Sequence, residues 1–203
     1  FEITDEGDLT WMLGTAISQD LTNGVVSLNQ TTYIEDMMHT FLPDEIKNGK
    51  KVRSVPCTEQ ITLLSTDTLP EKIDQRYRTC VGKLLWLTMV SRPDMAHAIS
   101  ILARFNNCGG AAHMEHIFIC IRYAYHTRHY QITYGLGRSK ALFDNISEFS
   151  AIKQDILEEG RMIVVTDSSH GGEKPMAGYV VMRAGGPISW SAYRLPVTPL
   201  SSC

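Results

Sequence analysis

Met162-Ile163-Val164-Val165-Thr166-Asp167 is the stretch whose reading decides the fold. Four successive apolar residues, too short for a helix and rich in β-branched side chains, read as a central strand buried on both faces. Working outward, a second strand is expected over residues 178–182. Gly185-Gly186 reads as a turn, and Pro187 opens a third strand through Ile188 and Trp190. Proline is tolerated at a strand's first position, where no ladder donor is needed. The C-terminal part therefore begins as consecutive antiparallel strands. Residues 161–203 are fewer than the about 50 that a domain usually needs. A small sheet with no helix over its apolar face is marginally stable.

The middle of the chain has a different period. Val81, Leu84, Leu85 and Thr88 recur at helical spacing between residues 74 and 91. Pro93 suits the first position of the next helix, where its missing N–H costs nothing, and Asp94 suits the first turn. Met95, Ala98, Ile99, Leu102 and Phe105 form that helix's stripe. Gly109-Gly110 breaks the chain, and a third helix is expected over 112–125, with Met114, Ile117, Phe118 and Ile121 inward. A short strand is expected at 132–134.

Toward the N-terminus, residues 9–29 read as one β-hairpin. An apolar run over 9–18 and the apolar Val25, Val26 and Leu28 flank Asn23-Gly24, a dipeptide suited to a tight hairpin turn. A helix follows, with Thr32 and Glu35 as a capping box. Its apolar face is Tyr33, Ile34, Met37, Met38 and Phe41, and Pro43 ends it. Residues 43–73 read as a long surface connection carrying a basic knot of Lys47, Lys50, Lys51 and Arg53. The architecture expected is α+β: residues 1–29 a hairpin, 30–135 a helical block, 136–160 a linker and 161–203 an incomplete sheet.

The composition is that of a globular chain. Of 203 residues, 43% are hydrophobic and 20% charged, which excludes a disordered or collagen-like protein. No apolar run approaches the roughly 20 residues that cross a bilayer, so no membrane partner is expected. The net charge of -3 requires any nucleic-acid contact to be a local surface. Five cysteines without a CxxC pair read as a reduced, intracellular protein of cytoplasm or nucleus. Phe1 and Cys203 both read as cuts through a longer polypeptide.

Asp167 is the sharpest candidate for chemistry. A carboxylate at a strand end is held in a fixed direction, as a metal ligand must be. Two-cation phosphoryl transfer needs several such carboxylates around ions roughly 4 Å apart, so Asp167 alone is insufficient. His113/His116 and His126/His129 repeat an i, i+3 spacing, but zinc needs about four ligands and no cysteine pair lies nearby. They read as polar-face and turn histidines. The glycine pairs lack the lysine of a phosphate loop.

Several strings, in common order and spacing, resemble the Pol polyprotein of copia-type LTR retrotransposons over nearly the whole chain. Trp11-Met12-Leu13-Gly14 with Ile17 is similar to the family's primer-grip "FLGI" strand. Val81-Gly82-Lys83-Leu84-Leu85-Trp86-Leu87 is similar to "VGSLLYL", and Arg92-Pro93-Asp94-Met95-Ala96-His97-Ala98 to "RPDIAYAV". Thr166-Asp167 resembles the start of "TDADWAG". Gly185-Gly186-Pro187-Ile188-Ser189-Trp190-Ser191 resembles "GGPISWS", and Leu200-Ser201-Ser202 the start of "LSSTEAE".

The resemblance implies a reverse transcriptase that continues into ribonuclease H. Residues 1–29 would end the palm with the primer-grip hairpin, 30–135 would form thumb and connection, and 161–203 would start an RNase H-like sheet. Trp11, Met12, Leu13 and Gly14 would hold the primer end. Asp167 would be the first RNase H carboxylate and a Mg²⁺ ligand. The implied partners are a template-primer or RNA–DNA hybrid and the rest of the Pol polyprotein. The family's "YVDD" aspartates fall before the position of Phe1 and its "TEAE" glutamate after Cys203. Ser168-Ser169-His170 replaces "ADW". The expectation is thus a segment of an RNA-directed DNA polymerase/ribonuclease H without a complete site of its own. The alternative is a non-enzymatic, decayed remnant that at most binds nucleic acid.

Overall fold

The computed structural model describes residues 7–48, 54–58, 61, 75–135, 162–169 and 175–195. These form an α+β structure of two antiparallel sheets joined by a helical block. The first sheet has the order β1 (Trp11–Met12), β2 (Thr15–Asp20), β3 (Val25–Asn29), β4 (Ile132–Gly135). The second has the order β5 (Ile163–Ser168), β6 (Met176–Arg183), β7 (Gly186–Arg194). Between them lie α1 (Thr31–Phe41), α2 (Pro43–Asn48), α3 (Gln75–Val90), a 3₁₀ turn (Pro93–Met95), α4 (Ala96–Ala103) and α5 (Ala111–His126).

The helices share one apolar core. Ile34, Met37 and Met38 of α1 meet Cys80, Val81, Leu84 and Leu87 of α3, Ala98, Ile99 and Leu102 of α4, and Ile117, Cys120 and Ile121 of α5. Each fully buried aliphatic side chain here contributes about 1.5–3 kcal/mol. Tyr77 is buried as well and donates to the Leu102 carbonyl at 2.7 Å. Its ring runs beneath Gly109, where an added Cβ would come within 2.6 Å of it. The helix break at Gly109 is thus also a steric requirement. Leu85 and Phe118, expected inward, are only half-buried.

The N-terminal apolar run is not one strand. It divides at a two-residue turn, Leu13-Gly14, both at positive φ (50° and 80°), so β1 folds back on β2 with Met12 opposite Thr15. The β2–β3 loop is also wider than the tight turn expected: Asp20 pairs with Val25, and only Gly24 of Asn23-Gly24 has positive φ. Asp20 closes it by accepting the Asn23 backbone N–H at 3.1 Å and side-chain amide at 2.6 Å. These bonds hold its carboxyl below the usual range. The capping box is absent. Helix α1 starts at Thr31, whose N–H is taken by Asn29 Oδ1 at 2.8 Å. Glu35 pairs instead with Arg128 at 3.0 Å. Pro43 ends α1 but opens α2, since proline fits a helix start as well as it stops one.

Asn29 and Thr31 also reach the carbonyls of Arg128 and Tyr130. They bring the chain leaving α5 alongside β3, so β4 pairs with β3 from more than a hundred residues away. Met162-Ile163-Val164-Val165 is not a central strand. Among the described residues β5 pairs with β6 alone, and Val164 and Val165 are 61% and 47% exposed. An apolar run reports hydrophobicity but not the number of neighbouring strands. Nor is the second sheet bare: α4 packs against β7, and the Trp190 indole N–H donates to the Thr88 carbonyl at 2.9 Å. Residues 136–161 lie outside the described residues.

Candidate functional site

The residues singled out by sequence lie on different edges. Trp11 and Met12 form the outer strand of the first sheet, and Asp167 sits on the outer strand of the second. The sheets adjoin through their other edges, β4 and β7. The structure therefore does not gather these residues into one centre.

The hairpin at 11–14 is an apolar knuckle. Trp11, Met12 and Leu13 are 50%, 51% and 71% exposed, while the next residue, Thr15, is buried. A leucine at φ 50° is strained, because its Cβ crowds the following carbonyl oxygen. Gly14 lies over α1, with Tyr33 3.6 Å from the position of an added Cβ. The tip thus stands on the helical block, with its apolar side chains outward.

Asp167 lies opposite Gly178, which lies opposite Ala192, so no bulky side chain stands beside it across the sheet. Two residues along, the row Val165–Val180–Trp190 points the same way, toward α4. Between this face and the helices is a cleft of about 240 Å³, bordered by Asp94, His97, Val165, Asp167 and Trp190. A second cleft of about 320 Å³, bordered by His97, Asp167, Ser169 and Met176, is at the lower end of the about 300–1,000 Å³ of ordinary ligand pockets. Among the described residues β5 is an outer strand, and the Asp167 side chain is exposed there.

Mg²⁺ is tested by the same geometry. Asp167 Oδ1 accepts the Ser168 N–H at 2.8 Å. Asp94, the other carboxylate at the cleft, is held by both terminal and inner nitrogens of Arg92 and by the Tyr123 hydroxyl. Among the described residues no three His, Cys, Asp or Glu side chains could hold a metal ion. The described residues do not fit a two-cation centre.

The histidines expected on polar faces are buried. His113, 6% exposed, accepts the Gly110 N–H at 3.2 Å and packs on Phe105 with ring centroids 4.4 Å apart. His116 is 9% exposed. Of the basic knot, Lys47 falls in α2, and Lys50, Lys51 and Arg53 lie outside the described residues. Cys57, Cys80, Cys108 and Cys120 are in no disulfide, and burial pushes the Cys57 and Cys120 thiols up. No helix among the described residues is long and apolar enough to cross a membrane.

One feature that periodicity missed lies on the outer face of α3. Gly82 is exposed in mid-helix, with nothing among the described residues within 4 Å of the position its Cβ would take. Thr79 and Trp86 share that face at i−3 and i+4. Lys83 lies beside it, its Nζ 5.4 Å from the centre of the Tyr33 ring. Arg78 is tied to the Asn106 carbonyl at 2.8 Å and to Asn107 at 2.9 Å.

No family model matches the chain, and no solved structure does. A Saccharomyces cerevisiae protein named for transposon Ty5-1 is 28% identical over 212 aligned residues, covering 100% of this chain and 59% of that protein. The retrovirus-related Pol polyprotein from transposon TNT 1-94 of Nicotiana tabacum is 27% identical over 203, covering 95% of this chain and 13% of the polyprotein. Secreted RxLR effector protein 161 of Plasmopara viticola is 25% identical over 130, covering 62% of this chain and 78% of the effector. The chain thus spans less than two thirds of either transposon relative. Over nearly its whole length it is homologous to Ty5/copia-type transposon Pol polyproteins.

Proposed function

We propose that the chain is the part of a copia-type Pol polyprotein that follows the polymerase active site, and that it grips a template-primer or RNA–DNA duplex without carrying a complete catalytic centre. Open Gly82 carries this reading. Glycine in a helix interior costs about 0.8–1 kcal/mol relative to alanine. Among the described residues nothing occupies the space above Gly82. A rigid external partner that must come close to the helix backbone accounts for that cost. A sugar-phosphate backbone is such a partner, and duplexes containing RNA are read largely through shape and backbone. The apolar knuckle at Trp11, Met12 and Leu13 adds surface on which bases or sugars can pack.

In this reading Asp167 is the first carboxylate of a ribonuclease H centre whose Mg²⁺ ions require further ligands from the rest of the polyprotein. The 203 residues alone bind duplex and do not hydrolyse it. The test is a fluorescence-anisotropy titration of an RNA–DNA hybrid between 50 and 200 mM salt, with the wild type and Gly82→Leu. Expected are an affinity that falls with salt, as phosphate contacts require, and an at least tenfold loss in Gly82→Leu with no loss of fold. Absence of binding at 50 mM, or equal binding by the variant, sinks the proposal. Mg²⁺-dependent cleavage of the hybrid would overturn the inactive reading.

A further inference from the structure

Among the described residues the two sheets meet where β7 runs past β4. At Arg183 the chain leaves β6, turns through Ala184 (φ 51°) and Gly185 (φ 79°), and enters β7 opposite itself at Gly186. This turn does not point into open solvent. The Ala184 carbonyl accepts the Gly135 N–H at 2.9 Å. The Pro187 carbonyl accepts the Tyr134 hydroxyl at 2.6 Å. Further along β7, Trp190 donates to Thr88 at the far end of α3.

Between these bonds Gly186 is buried against β4. A Cβ there would lie 2.7 Å from two carbons of the Tyr134 ring and 2.9 Å from the Thr133 carbonyl oxygen. The ring is held by its hydroxyl and the oxygen is backbone, so neither can yield cheaply. Only glycine lets β7 seat on β4. Every one of these contacts joins the C-terminal sheet to the rest of the molecule, and none serves the sheet's own ladder.

We propose that residues 184–190 are a latch that fixes the three-stranded sheet on β4 and α3, so that the strand carrying Asp167 keeps one position relative to the outer face of α3. The consequence for nucleic acid rests on the reading above: a duplex lying on α3 would meet Asp167 at a set distance along its length. The latch itself does not rest on it.

Gly135 gives a direct readout, because its amide is bonded across the junction. Amide exchange by NMR is followed in the full chain for the wild type, Gly186→Ala and the double variant Tyr134→Phe/Trp190→Phe. In the wild type the Gly135 amide is expected to be protected. Both variants are expected to exchange it at least tenfold faster, while amides of β2 and α5 keep their rates. Should Gly186→Ala fail to fold, the double variant, which adds no atoms, still decides. An unprotected Gly135 in the wild type, or unchanged exchange in the double variant, overturns the latch. Hybrid binding is titrated on the same samples. Absent binding with the Gly135 signal intact removes the nucleic-acid reading and leaves the latch. Intact binding with no Gly135 protection does the reverse.

Discussion

Arg92, 1% exposed, grips Asp94 two residues along with a two-pronged contact, Nε to Oδ1 at 2.9 Å and a terminal nitrogen to Oδ2 at 2.7 Å. The same guanidinium reaches Thr127 at 2.6 Å and lies 5.2 and 5.4 Å from the ring centres of Tyr123 and Tyr130. It therefore ties the start of α4 to the end of α5. Lysine has the charge but neither the fork nor the plane. Arg92→Lys is expected to destabilise the protein by about 1–3 kcal/mol, the cost of leaving buried hydrogen-bond partners unmade. The measurement is the urea midpoint. A change below about 1 kcal/mol would refute the assignment.

Leu13 combines a strained backbone with a largely exposed side chain, so its conformation is not compensated by packing. Asparagine tolerates the left-handed region better. Leu13→Asn is expected to stabilise the hairpin by about 0.5–1 kcal/mol and to weaken hybrid binding, because strain persisting at an exposed site points to a role outside folding. Thermal unfolding and the anisotropy titration read the two effects. Destabilisation would count against the strain argument.

Gly82→Ala isolates the cost of the open glycine. The methyl group meets none of the described residues, and the helix gains about 0.8–1 kcal/mol from propensity. The expected result is a higher urea midpoint with an unchanged denaturant slope. A lower midpoint would mean that the space above Gly82 is not open.

The helical half of the fold was legible because its signals are local. Val81, Leu84 and Thr88, then Met95, Ala98, Ile99 and Leu102, repeat at 3.6-residue spacing, and Gly109-Gly110 marks a real break. The errors fall where the answer depends on a distant partner. Val164 and Val165 are apolar whether one strand or two lie beside them. His113 and His116 are buried by Phe105 and the neighbouring helices, which their own spacing does not report. Leu13 gives no composition signal for positive φ. For the candidate site, Asp167 stood out as a carboxylate near a strand end. Its small neighbours Gly178 and Ala192 emerge only from strand register. Arg92 stood out only within the string Arg92-Pro93-Asp94, and Gly186 only as part of a turn; the rings of Tyr123, Tyr130 and Tyr134 around them come from distant parts of the chain.

Arg122 fastens α2 to α5. Its nitrogens reach both Glu45 oxygens at 2.7 and 2.8 Å and Glu115 at 2.8 Å, with Arg122 and Glu45 side chains only 11% and 12% exposed. The Glu45 hydrogen bonds raise the already high guanidinium pKa, so Arg122 stays charged throughout the accessible range. Glu45→Gln keeps the shape and removes the charge. It is expected to cost about 1–2 kcal/mol, less than a fully buried pair because Glu115 remains and is exposed. Amide exchange in residues 43–48 should accelerate while α1 and α5 keep their rates. A uniform change across the protein would contradict a local fastening.

His116 makes stability depend on pH in a stated direction. Burial lowers its pKa below the model-peptide value of 6.5, and nearby Glu115 only partly offsets this. Its Nδ1 has no hydrogen-bond partner among the described residues, so no hydrogen bond at that nitrogen adds to the pull of Glu115 toward the cation. The unfolded chain thus binds the proton at a higher pH than the folded one. Stability from this residue is fully present well above pH 6.5. It declines as pH falls below that value, until the folded protein takes up the proton too. His116→Phe removes the titrating group and keeps a ring in the buried position. Urea unfolding at pH 7.5, 6.5 and 5.5 should show a smaller loss of stability on acidification in the variant than in the wild type. Parallel profiles would mean that His116 does not carry the pH dependence.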